Sequence, residues 1–205
     1  MGPAVFIDRD DTLVDTRRAT AGTDHPGDLL DPALVSLLPG AGAACARLAD
    51  AGYALVVVSN QGAVARDRCA LEDVESVNDR LRELLAQAGA ALAATYYCPF
   101  HPAGEPGPFS IEHPWRKPAP GMIAAATREL DLDLRGSWLV GDSLRDIQAG
   151  LAAGLARSRT ILVSQSAPMS EGAETEPGAV LPHLSAAADF ILTHPSFMLP
   201  RGAPN

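Results

Sequence analysis

The stretch Val5-Phe6-Ile7-Asp8-Arg9-Asp10-Asp11-Thr12 joins a short apolar run to four charged residues, three of them carboxylates. Carboxylates that close repel and perturb one another's ionisation, so a fold gathers them only with a counter-cation or for chemistry. Val5 to Ile7 suits a buried strand, and ligands of open parallel sheets sit just beyond the carboxyl ends of strands. An acidic cluster there is placed to hold Mg²⁺ and a phosphate. The bland alternative is a strand followed by a solvated acidic turn. Further along stand a hydroxyl at Ser59, a lysine at Lys117, and two more carboxylates at Asp142 and Asp146. Singly, Ser59 reads as a turn residue, Lys117 as a surface residue, and Asp142 to Asp146 as a helix cap with an acidic first turn. Their joint occurrence at successive strand ends is what the bland readings leave unexplained.

Lys117 is the sole lysine among 16 basic residues. Where a mere positive charge suffices, this chain uses Arg. The surviving Lys therefore suggests a site needing a compact ammonium in place of a planar fork.

The elements that must position these groups follow from periodicity. Strand 1 covers about residues 4–8, and residues 9–39 read as a long loop with one short helical turn near Leu34. A loop of that length inside a compact domain is usually functional. A small-residue helix spans 41–51 and closes at Gly52, and strand 2 covers 53–58, with Ser59-Asn60-Gln61-Gly62 leaving it. An amphipathic helix at 71–88 turns Val74, Val77, Leu81, Leu84 and Leu85 inward. Strand 3 (94–97) precedes a second long loop, 98–118. A helix from Pro120 to about Leu130 leads to strand 4 (137–140), and Gly141-Asp142-Ser143 turns into a helix that stops at Gly154. Strand 5 covers 160–163, Ser164 to Leu184 reads as loop, and Phe190-Ile191-Leu192 as a last short strand. The tail from Pro195 is expected to be only partly ordered. Strand–helix alternation of this kind means an α/β, three-layer, doubly wound parallel sheet.

Length bounds the chain to one domain of 205 residues, with a core at about 4–165 and a C-terminal extension at 166–205. No apolar run approaches the roughly 18 residues of a membrane span, and no signal peptide is visible. Three scattered cysteines make a reducing, cytoplasmic setting the default. A net charge of −9 argues against nucleic acid as a partner but leaves room for a small phosphorylated metabolite bound through a metal. A monomer is expected.

Asp8-Arg9-Asp10-Asp11-Thr12, Ser59-Asn60, Lys117-Pro118 and Gly141-Asp142 with Asp146 resemble the four motifs of haloacid-dehalogenase (HAD) superfamily phosphotransferases. Adding Tyr96-Tyr97-Cys98-Pro99 and Arg116-Lys117-Pro118-Ala119-Pro120-Gly121-Met122, the chain is similar to D,D-heptose 1,7-bisphosphate phosphatases. The related histidinol-phosphate phosphatases share most of the pattern. The resemblance implies a Rossmann-like core with no stretch between motifs large enough for a folded cap domain. It implies an Mg²⁺-dependent phosphomonoesterase in which Asp8 becomes an aspartyl-phosphate and Asp10 serves as acid and base. Ser59 and Lys117 would hold phosphoryl oxygens. Asp8, the Asp10 carbonyl and Asp142 would ligate Mg²⁺, with Asp146 orienting its surroundings. Asn60, Arg66 and Arg116 are the expected substrate contacts.

Two departures stand out. The close relatives typically carry a structural zinc on Cys-x-His and Cys-x-Cys, and here only Cys98 keeps its place. Cys98, His101 and His113, with Glu105 or Glu112, form a possible zinc set. The alternative is a loop held by prolines and by Trp115. Asp11 replaces the glycine usual in the bisphosphatases, which bears on the substrate. Histidinol phosphate and nucleic-acid 3′-phosphates are alternative substrates. A phospho-accepting signalling receiver and a non-catalytic binding protein are alternatives of another class. In receivers the phosphorylated Asp follows a middle strand, whereas Asp8 follows the first.

Overall fold

A computed structural model of the chain describes residues 2–164 and 176–194. Its strands are β1 (Ala4–Ile7), β2 (Ala54–Asn60), β3 (Leu92–Cys98), β4 (Trp138–Gly141), β5 (Thr160–Val163) and β6 (Ala179–Leu181). They form one parallel sheet in the order β3-β2-β1-β4-β5-β6. β1 and β4 are fully buried along their length, as expected of parallel strands covered on both faces. Alternation splits β1 between the two faces. Val5 and Ile7 pack with α2 (Ala41–Asp50), α6 (Leu184–Thr193) and the buried stripe Val77, Leu81 and Leu85 of α3 (Leu71–Gln87). Ala4 and Phe6 pack with α4 (Gly121–Glu129) and α5 (Leu144–Ala152).

The chain winds outward from β1 to the β3 edge, then returns to β4 on the other side of β1. Strand order reverses there, and a crevice opens above the carboxyl ends of β1 and β4. The long loop after β1 carries only a five-residue helix, α1 (Thr16–Thr20), and the short turn expected near Leu34, at Pro32–Leu34. Residues 99–118 contain neither helix nor strand. No folded cap is inserted among the described residues, and none of their helices is long and apolar enough to cross a membrane.

Three local readings need correction. β2 runs on to Asn60, so Ser59 lies inside the strand. Ala179–Leu181, within the supposed loop, pairs with β5. Phe190-Ile191-Leu192 is part of α6 and not a strand. Three apolar residues are too few to fix a period, and half of the helical stripe Leu184, Ala187, Ala188, Ile191 is alanine. The tail from Pro195 lies outside the described residues.

Candidate active site

Asp8 is the first residue past β1, and its backbone N–H donates to Val140 O at 2.9 Å, extending the ladder to β4. Its side chain is thereby fixed at the mouth of the crevice. Lys117 Nζ reaches it there, 2.5 Å from Asp8 Oδ1, and also lies 2.6 Å from Asp146 Oδ1. A third contact runs from Nζ to Val58 O at 2.8 Å. The other oxygen of Asp146 accepts from Ser143 N at 3.0 Å and Ser143 Oγ at 2.6 Å, capping α5. The cap reading and the site reading of Asp146 are thus both correct, one for each oxygen. Gly141 makes the fold-back feasible, since a Cβ there would sit 2.5 Å from Asp146 Cβ and Cγ.

Asp142, in the turn after β4, brings a third carboxylate. Oxygens of Asp8, Asp142 and Asp146 lie within 4.8 Å of one another. Burial alone would lower the Lys117 ammonium's pKa, but Asp146 and Asp8 outweigh it and hold the group firmly charged. One ammonium does not balance three carboxylates. Burial pushes Asp8 well above the usual carboxylate range, with Lys117 pulling it back and Asp146 and Asp10 pushing it further. Asp142 is pushed up to about 6 by burial and by Asp146, against the pull of Arg17. Clustered, under-neutralised carboxylate oxygens fit a hard divalent cation such as Mg²⁺. Arg17 supplies a partial substitute, bridging Asp11 Oδ2 and Asp142 Oδ2 at 3.0 Å each, from a side chain 77% exposed. Asp11 holds this arrangement with left-handed backbone, φ 55°.

Asp10 points to a different set of partners. It accepts from Thr16 Oγ1 at 2.6 Å, Gln61 Nε2 at 2.8 Å and the Arg9 guanidinium at 3.2 to 3.3 Å. Ser59 Oγ lies 3.3 Å away and accepts from Gln61 Nε2 at 2.8 Å. Arg9 is buried, and its Nη1 donates to Asn78 Oδ1 on α3 at 3.0 Å. Burial would raise the Asp10 pKa. Arg9, with the hydrogen bonds from Thr16, Arg9 and Gln61, outweighs burial and holds it below the ordinary value.

The cavity above these groups measures about 340 Å³ and is also lined by Arg66, His101, Arg116 and Arg145. Arg66 Nη1, His101 Cδ2 and Arg116 Nη1 converge over Gly62, within 3.0 to 3.4 Å of where its Cβ would be. Arg116 is anchored to Phe100 O at 3.2 Å. Burial and the neighbouring Arg116 and Arg66 hold the His101 imidazole below its usual pKa, a mark of a cationic rim. Asn60 also lines the cavity, but both ends of its amide are engaged elsewhere. It donates to Lys117 O and accepts from Lys117 N, both at 3.0 Å. The expected substrate contact is therefore a clamp on the lysine backbone.

Residues 114–187 match the HAD-hydrolase-like family model. The chain is 42% identical over 156 residues to a D-glycero-beta-D-manno-heptose-1,7-bisphosphate 7-phosphatase of Mesorhizobium japonicum, covering 76% of this chain and 67% of that protein. It is 35% identical to the enzyme of the same name from Yersinia pestis, over 93% of this chain and 89% of that one. The chain belongs to the HAD-like phosphatase family. Its architecture agrees: a D,D-heptose 1,7-bisphosphate phosphatase from B. bronchiseptica, complexed with magnesium and phosphate, superposes with a TM-score of 0.72. That structure is 30% identical and covers 93% of this chain and 98% of that one.

Against that family's pattern, the loop after β3 is rebuilt. Cys98 Sγ is buried and directed at Phe100 O, 3.8 Å away, with burial raising its pKa. His101 Nδ1 accepts from Ala103 N at 3.0 Å, and His113 Nδ1 from Trp115 N at 3.1 Å. Glu105 and Glu112 are exposed. Cys98, His101 and His113 are not brought together as a ligand set. The carboxylate trio is the one such group among the described residues. The His113 ring instead stacks on Phe100 at 4.0 Å and 13°, with Phe109 and Trp115 adjoining. An aromatic stack fastens this HAD phosphatase loop where zinc was considered. Reading the sequence missed Thr16, Gln61, Asp28 and Arg145 as residues lining or bracing the site. Gln61 was within reach, being the first polar residue past Asn60 on the strand end that bears Ser59.

Proposed function

We propose that the chain hydrolyses one phosphate monoester of a sugar bisphosphate, D-glycero-D-manno-heptose 1,7-bisphosphate, at the 7-phosphate named in its relatives. The observation that carries this reading is the pairing of two opposed fields in one cavity. Asp8, Lys117 and the carboxylate trio sit at the strand ends, and Arg66, Arg116 and Arg145 stand at the rim. A substrate with one phosphate at the nucleophile and a second on its leaving group suits both. Histidinol phosphate, whose leaving group carries an ammonium, would meet the rim's repulsion.

In the first half-reaction an Asp8 oxygen attacks phosphorus, the bond from phosphorus to the sugar oxygen breaks, and Asp10 gives that oxygen its proton. Asp10 is ionised in the free site, so its proton must accompany substrate. A phosphate dianion beside it raises its pKa and offsets Arg9. In the second half-reaction Asp10 takes a proton from water, which attacks phosphorus and frees Asp8 and inorganic phosphate. Lys117 and Ser59 hold phosphoryl oxygens, and Lys117 opposes the burial that raises the Asp8 pKa, favouring the carboxylate that attacks. Asp8 and Asp142, with the Asp10 carbonyl and neighbouring Asp146, would hold Mg²⁺. The cation, when bound, neutralises charge on the phosphoryl oxygens. Zinc has no part in the proposal, because the geometry of Cys98, His101 and His113 does not support it.

A receiver-like phospho-protein is disfavoured by Asp10, whose place beside the nucleophile favours turnover. The test is phosphate release with Mg²⁺ and with EDTA, across both heptose bisphosphate anomers, histidinol phosphate and an aryl phosphate, alongside Asp8→Asn. Cation-dependent release favouring a heptose bisphosphate and absent from Asp8→Asn is expected. No release from any compound by folded, cation-bound protein would sink the proposal.

A further inference from the structure

The hydrogen bonds of the loop after β1 describe a brace. Thr16 Oγ1 donates to Asp10 Oδ1 at 2.6 Å, Thr20 Oγ1 donates to Thr16 O at 2.8 Å, and Gly27 N donates to Thr20 Oγ1 at 2.8 Å. Thr16 and Thr20 are both buried. The next residue, Asp28, lines the cavity and reaches across to the segment after β2. Its Oδ1 accepts from Arg66 Nη2 at 2.8 Å and its Oδ2 from Arg68 Nη1 at 2.6 Å. A continuous line thus runs from Asp10, at the nucleophile, to Arg66, at the rim.

We infer that Asp28 is a positioning residue that fixes Arg66 for the second phosphate of the substrate, and so sets the preference for a bisphosphate over a monophosphate. The inference rests on the reading under Proposed function. An unrestrained Arg side chain is rotamer-rich, and binding an anion would have to order it. Asp28 occupies only the Nη2 corner. Nη1 remains beside Arg116 and His101 over Gly62, and the buried Nε has no hydrogen-bond partner among the described residues. Nη1 is the donor that a phosphate on the leaving group would meet. Asp28 also offsets part of the charge at the rim, which on its own would weaken anion binding. At a solvent-lined rim that charge is screened, whereas lost orientation is not, so orientation decides the sign. Arg68 stands outside the cavity lining and serves as the second anchor of Asp28.

Steady-state kinetics on the full chain with Mg²⁺ test this, using heptose bisphosphate and an aryl phosphate with Asp28→Ala, Arg66→Gln, the double variant and Arg68→Gln. Asp28→Ala should raise KM for the bisphosphate on the order of tenfold, with kcat and both aryl phosphate constants held within about twofold. Asp28→Asn, which keeps an acceptor for Nη2, should recover part of the loss. In the Arg66→Gln background, Asp28→Ala should add nothing, and Arg68→Gln, which frees one oxygen of Asp28, should give a smaller rise in KM for the bisphosphate alone. Equal losses on both substrates, unchanged or tighter bisphosphate binding, or additive effects in the double variant would overturn the role of Asp28. Wild type without preference for the bisphosphate would refute the substrate reading itself, and this inference with it.

Discussion

Asp142→Asn should make the metal-free protein more stable while removing its response to Mg²⁺. In the free site this carboxyl is pushed up from 3.8 to about 6, so ionising it is harder in the fold than in the unfolded chain. A carboxyl with a raised folded pKa contributes no penalty below its unfolded value. The penalty grows as pH rises from about 4 to about 6 and is constant above that. At about pH 7.5 it amounts to roughly 3 kcal/mol, from some two pKa units at 1.36 kcal/mol each. The pull of Arg17 on the carboxylate is already contained in that figure, so the ion pair lost in the variant subtracts nothing further. In EDTA the variant should therefore melt roughly 5–10 °C above wild type near neutral pH. The two curves should converge only as pH falls below about 4, where the Asp142 carboxyl is protonated in the folded and unfolded chains alike. Mg²⁺ should then raise the melting temperature of wild type and leave the variant unmoved. Thermal or urea unfolding across that pH range, with and without Mg²⁺, checks each part. A variant no more stable than wild type in EDTA, or a difference that does not change with pH, would refute the charge argument.

Lys117→Met leaves Asp8 and Asp146 buried without their ammonium, so stability should fall by about 3–5 kcal/mol in EDTA, read by urea unfolding, along with all activity. Asn60→Ala removes both hydrogen bonds to the Lys117 backbone, and kcat should drop on the order of tenfold or more while KM moves little. Thr16→Val deletes a donor that stabilises the Asp10 carboxylate. The Asp10 pKa should rise, and the acidic limb of the kcat/KM profile should move to higher pH. Phe100→Ala should destabilise the protein by roughly 3 kcal/mol, whereas a zinc-selective chelator should leave the wild-type melting temperature unchanged. Elemental analysis finding stoichiometric zinc would contradict the aromatic-stack account.

The carboxylates of the candidate site were legible where an apolar strand breaks into charge. Asp8 after Ile7 and Asp142 after Gly141 are of this kind, and strand order alone brings them together. What stayed hidden depends on side chains meeting through space. Asp10 is held by Arg9 and Thr16 from its own loop but also by Gln61, just past β2, and nothing in local spacing pairs them. The misread α6 shows the same limit for packing. Half of its inward face is alanine, whose hydropathy is too weak to announce a period, so three larger residues dominated the reading. Asn60 was legible as a site residue but not as a clamp, because Lys117 lies 57 positions away.

That clamp separates two jobs along the chain. The loop after β3 leaves the sheet from an edge strand and returns at Lys117, whose ammonium touches Asp8. Since Asn60 grips Lys117 by its backbone, the ammonium's position is set from β2 and does not depend on how the twenty or so preceding residues are fastened. Metal ligands can be exchanged for stacked rings there without shifting the reacting atoms. The fastening of the loop is thus free to vary without moving the lysine, while Arg116 and His101 keep their places at the rim. The central strands, whose ends carry Asp8 and Asp142, have no such freedom.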